Sequence, residues 1–129
     1  MDGFITRRII QRTRQEAPEV FEDGSPISWV HRPDVASGLP PFCIVQGTHD
    51  SLVWVEEVRR FVAELAPVIP SPLVYAELPS AQHAFEIFHS PRTSHYLNAA
   101  SCWLEWAYAQ HRVHRTTSEQ SRCEEARHD

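Results

Sequence analysis

Two short apolar runs, Phe42–Gln46 and Leu73–Leu78, enclose a stretch of helical periodicity, and that order constrains the fold most tightly. Phe42–Gln46 ends at Gly47, is too short for a helix and does not alternate, which fits a strand buried on both faces. Between the runs, Val58, Phe61, Val62 and Leu65 recur at helical spacing, with Trp54 one turn earlier. Glu56 and Glu57 fall in the first turn, where they suit the helix dipole, and Glu56 is spaced to pair with Arg60. Pro67 ends the helix. Strand, helix and strand over about 40 residues make a βαβ unit, which almost always has a right-handed crossover and parallel strands. The pattern predicts an α/β chain.

Parallel strands end at the same edge of the sheet, and open α/β sheets bind ligands at their carboxyl edge. Asp50 follows the first predicted strand and His83 follows the second. A carboxylate that accepts a hydrogen bond from an imidazole is the acid–base half of a hydrolytic triad. On pattern alone, an Asp after a strand serves equally well as a helix cap, and a His there as a turn residue. Both readings stay open at this point.

The rest of the chain is less informative. Residues 3–15 suggest a short helix, with Phe4, Ile5 and Ile9 on one side and four arginines around it. Residues 17–41 read as a loop punctuated by Pro18, Pro26, Pro33, Gly38, Pro40 and Pro41. Ser90-Pro91 is a helix start, with Ser as N-cap and Pro at the first helical position. Leu97, Ala100, Leu104, Ala107 and Tyr108 supply the apolar face of that helix, widened by Trp103 and Trp106. Residues 1–110 read as the folded part, and 111–129 as a polar, disordered tail.

A net charge of −5 argues against nucleic acid or an anionic membrane as the main partner. All 12 basic residues are Arg, a bias that codon usage explains better than function. No apolar stretch is long enough to span a membrane, and Met1 leads into charged residues rather than a signal peptide. The expected location is cytoplasmic. Cys43, Cys102 and Cys123 form no framework that calls for disulfides. His111, His114, Cys123 and His128 match no zinc spacing, so no metal or cofactor is expected.

The segment Pro40-Pro41-Phe42 through Gln46-Gly47-Thr48-His49-Asp50-Ser51-Leu52-Val53 resembles the "PP-strand-HG-x-x-D-x-L-V-P" segment of α/β-hydrolases. The resemblance is to bacterial carboxylesterases and lipases related to hormone-sensitive lipase. Leu78-Pro79-Ser80-Ala81-Gln82-His83-Ala84-Phe85 is similar to the "G-x-x-H-x-F" segment that carries the catalytic base in that family. The likeness runs from about Leu39 to Trp106, with a weaker echo over Ala17 to Val30. It implies a partial α/β-hydrolase fold, the C-terminal βαβα portion of a parallel sheet with flanking helices. It also implies that Asp50 is the triad acid and His83 the triad base, and it gives His49 no role.

Gln46 stands where the family commonly has His, and Trp54 where it has Pro. The larger departure concerns the nucleophile, which precedes acid and base in this fold. The four glycines are Gly3, Gly24, Gly38 and Gly47, so no G-x-S-x-G elbow can be written in this sequence. The resemblance thus implies the C-terminal part of a serine ester hydrolase, inactive alone, whose parent acts on small esters. A complementary N-terminal fragment or self-association would be its partner. The alternative is a non-catalytic remnant acting as a binding or assembly module.

Overall fold

The computed structural model describes the backbone of residues 5–125, and side chains over 8–113 apart from Ala36. Its centre is a two-stranded parallel sheet, β1 (Phe42–Gly47) beside β2 (Leu73–Leu78), paired in register from Phe42↔Leu73 to Gly47↔Leu78. The connection between them is α4 (Val55–Leu65), so the βαβ unit is present.

The pleat sorts the strand residues between two helices. Tyr75 and Glu77 face α4, where Arg59 Nε and Nη2 each donate to the Glu77 carboxylate at 2.7 Å. Tyr75 Oη donates to the same carboxylate at 2.7 Å. The Arg59 bonds and then the Tyr75 bond hold the Glu77 carboxyl down at about 2, while burial and this carboxylate push the Tyr75 phenol up to about 12. The Glu56–Arg60 pair expected from spacing is not among the ion pairs of the described residues. Arg59 makes the bidentate contact to the sheet instead, a stronger geometry than an exposed pair along one helix.

Cys43 and Val45 face the other way, toward α5 (Pro91–Glu125), across a cavity of about 170 Å³ that Tyr96, Ala100, Trp103 and the edge of Leu104 also line. Ser90 caps α5 as its sequence predicts, with Oγ accepting from Thr93 N–H at 3.1 Å. Such a cap is worth about 1 kcal/mol. Thr93, Tyr96, Ala100, Trp103 and Ala107 form the covered stripe of α5, whereas Leu97, Leu104 and Tyr108 are exposed. The expected apolar face and the covered one thus share Ala100, Trp103 and Ala107, and the covered stripe runs on through Tyr96 and Thr93 rather than Leu97 and Tyr108. Helical backbone also continues from residue 111 to Glu125, where a disordered tail was expected. That stretch has no Gly or Pro, and three Arg, three Glu and one Gln among its residues are good helix formers.

Residues 17–41 are not a loop. They form α1 (Pro18–Asp23), α2 (Pro26–Val30) and α3 (Pro33–Ala36), each with Pro in its first turn. Proline lacks only an N–H that would be unpaired there, and its φ suits the helix, so these prolines start helices rather than break them. Helix α2 rests on α4 through buried Val30 and a 2.7 Å contact between His31 Nε2 and Glu64 Oε2. At the N-terminus, the described part of the helix expected over 3–15 is one π-helical turn, Ile5–Ile10. Strand β1 is only half-buried over Phe42–Val45, because a single neighbouring strand leaves one edge without a ladder. On β2, Val74 keeps 41% of its surface exposed.

Candidate active site

The loops after β1 and β2 are tied together before any side chain of the site is considered. Thr48 N–H donates to the Leu78 carbonyl at 3.1 Å and His49 N–H to the Ala81 carbonyl at 3.0 Å. In return, Ser80 N–H donates to Thr48 Oγ1 at 2.9 Å. Gly47 is buried under this junction, and a Cβ there would lie 2.4 Å from the Ala81 carbonyl oxygen. Ser80 and Ala84, on either side of His83, have φ of 57° and 54°. Left-handed backbone at non-glycine residues is costly and collects where geometry is held for a purpose.

This junction brings Asp50 and His83 together. Asp50 Oδ2 lies 2.9 Å from His83 Nδ1. Asp50 Oδ1 accepts from the N–H groups of Leu52 at 2.9 Å and Val53 at 2.8 Å. The Asp50 side chain is 7% exposed and that of His83 is 45% exposed. Burial pushes the Asp50 carboxyl up, but the Val53 N–H, the His83 bond and the Leu52 N–H together hold it below its ordinary value. It is ionised near neutrality and can only accept hydrogen bonds. Nδ1 of His83 must therefore carry the proton, which leaves the Nε2 lone pair of the neutral ring available. Among the described residues no group hydrogen-bonds to Nε2. Ser90, the serine among the residues that line the pocket beside His83, spends its Oγ on capping α5.

Gln46 is a part of the site that the sequence did not point to. It is 7% exposed, and its Nε2 donates to Asp50 Oδ2 at 3.2 Å and to the Val53 carbonyl at 2.8 Å. The amide thus closes the turn that presents Asp50. A polar residue at the end of a buried strand was the available signal, since such a group needs partners. Among the described residues no cluster could hold a metal ion, and His114, Cys123 and His128 lie outside the described side chains. His49 is exposed and takes no part in the pair, and no described helix is long and apolar enough to cross a membrane.

The lowered carboxyl values of Asp50 and Glu77 link stability to pH. Each group stabilises the fold above the ordinary carboxylate range near 4 and loses that contribution as pH falls through its folded value. Urea melts of the chain are expected to weaken steadily between pH 4 and 2. Glu77→Gln, which removes one of the two groups, should flatten that decline; an unchanged slope would contradict the assignment.

No family model matches the chain, and no solved structure matches it. Three curated proteins of Mycobacterium tuberculosis do. The chain is 36% identical over 116 residues to "Esterase LipC", which covers 90% of this chain and 26% of that protein. It is 36% identical over 106 residues to "Probable carboxylic ester hydrolase LipM", 82% of this chain and 23% of that protein. It is 32% identical over 108 residues to "Esterase LipQ", 84% of this chain and 24% of that protein. The chain spans about a quarter of the length of these relatives. Over that quarter the chain is a homologue of these mycobacterial esterases, and its parallel sheet with flanking helices is a partial α/β fold.

Proposed function

We propose that this chain carries the acid and base of a serine ester hydrolase, Asp50 and His83, and that the nucleophile and oxyanion donors come from residues outside this sequence. One observation supports the reading above the others. A buried, ionised carboxylate sits 2.9 Å from a half-exposed imidazole, at the carboxyl edge of two parallel strands.

The chemistry follows from the proton inventory. Nε2 of His83 takes the proton of a serine hydroxyl as its oxygen attacks the ester carbonyl. The resulting imidazolium is stabilised by Asp50 through Nδ1–H and returns the proton to the leaving alkoxide as the tetrahedral intermediate collapses. Water then attacks the acyl-enzyme and gives a proton to Nε2, which passes it to the departing serine oxygen as the acid is released. A second reading, a binding or assembly module without catalysis, draws on the exposed apolar residues Val74, Leu97 and Leu104.

A chimera tests both. Substituting this chain for the 26% of LipC that it matches should give a protein that hydrolyses a short-chain aryl ester. His83→Ala in that chimera should lower kcat by about 10³-fold or more. The chain by itself should neither turn over the ester nor be labelled by a fluorophosphonate. Labelling of any of its own serines, or chimera activity that survives His83→Ala, would overturn the proposal. A folded chimera without activity would favour the assembly reading.

A further inference from the structure

A pocket of about 510 Å³ opens beside His83, and Phe85, Phe88, Ser90, Pro91 and Arg92 share its walls. Its shape is fixed by bonds that have nothing to do with Asp50. Thr93, buried, places Oγ1 2.7 Å from the Phe88 carbonyl oxygen and 3.2 Å from the Phe85 carbonyl oxygen, which ties the turn after His83 to α5. The Phe85 ring meets Tyr96 edge-on at 5.2 Å. Phe85, Phe88 and Pro91 thus supply an apolar part of the wall on a held backbone, and Gln82, His83, Ser90 and Arg92 supply its polar groups, the mixture a binding pocket uses.

Arg92 is the one cation that lines the pocket besides the imidazole, and it is exposed to solvent. Among the described residues no carboxylate pairs with it, although the chain carries a net charge of −5. It is the second residue of α5, where the helix dipole disfavours a cation, so helix stability does not account for it. A guanidinium at the wall of such a pocket is suited to an oxyanion held by two parallel N–H bonds, and on a small ester that group is a carboxylate.

We propose that this pocket selects esters that carry a free carboxylate, with Arg92 as the specificity-determining residue and Phe85 and Phe88 covering the chain between carboxylate and ester. The inference rests on the ester-hydrolase reading for its chemistry, but its test reads binding alone. The isolated chain, labelled with ¹⁵N, is titrated with monomethyl succinate and with dimethyl succinate, and the Arg92 Nε and His83 ring signals are followed. The anionic ester is expected to bind about tenfold more tightly than the neutral one, the scale of one charge-assisted hydrogen bond. Arg92→Gln should remove that preference while neutral-ester binding persists, and Arg92→Lys should retain part of it. Equal affinity for the two esters, binding of neither, or a preference that survives Arg92→Gln would overturn the proposal. Failure of the catalytic reading would show separately, as a chimera indifferent to His83→Ala.

Discussion

Asp50→Asn is expected to reverse the tautomer of His83. The two oxygens of Asp50 are not equivalent: Oδ1 is claimed by the N–H groups of Leu52 and Val53, and Oδ2 faces His83 Nδ1 and Gln46 Nε2. An Asn in this turn keeps its carbonyl oxygen on the two backbone donors, which leaves its amide NH₂ pointing at His83. An amide nitrogen can only donate, so Nδ1 must become the acceptor and the ring proton moves to Nε2. The ring nitrogen that would take a serine proton is then already protonated. In the LipC chimera this should lower kcat by about 10⁴-fold, with little change in KM. The isolated chain gives the same information without any nucleophile. The ¹⁵N shifts of the His83 ring should exchange between Nδ1–H in the parent and Nε2–H in the variant. An unchanged tautomer would mean that the Asp50 bond does not orient this ring, and the proposed pairing would lose its mechanism.

The variant also sets donor against donor at Gln46, whose Nε2 is 3.2 Å from the position the new amide would take. The turn should therefore weaken as well as the tautomer change. Asp50→Asn combined with Gln46→Leu separates the two effects, since the second change removes the clash but leaves the tautomer reversed.

The βαβ unit was legible because it is written in short-range patterns: two apolar runs and one helical periodicity, each confined to a few residues. The short helices α1, α2 and α3 were not. A proline signals a stop within a helix and a start at its first turn, and only the chain on either side decides which. The covered stripe of α5 is only partly legible for a related reason. Its apolar residues fill two adjacent stripes, and hydrophobicity alone does not say which one meets Cys43 and Val45. Arg59 finds Glu77, and Gln46 finds Val53 and Asp50, only once the strands are paired and the loop is closed. Contacts of this kind depend on register, which no local pattern carries.

Gly47→Ala is expected to be the most damaging single substitution in the fold. Glycine here is not required by backbone conformation, because its φ is not positive. It is required by proximity. An added Cβ would lie 2.4 Å from the Ala81 carbonyl oxygen, 2.8 Å from its carbonyl carbon and 3.2 Å from its Cβ, and the first two are backbone atoms that cannot rotate away. The Ala81 carbonyl also accepts from His49 N–H, so moving it breaks the bond that joins the two loops. Overpacking and one lost bond together should cost about 3 kcal/mol, a large share of the stability of a small domain. Urea unfolding followed by circular dichroism would read that loss directly. The site should suffer before the sheet does, since the junction lies between Asp50 and His83 while strand pairing runs from Phe42 to Gly47. In the chimera, Gly47→Ala should accordingly remove activity at temperatures where the protein is still folded. Full stability with full activity would show that the loops tolerate separation, and that the approach of Gly47 to Ala81 does not hold the pair.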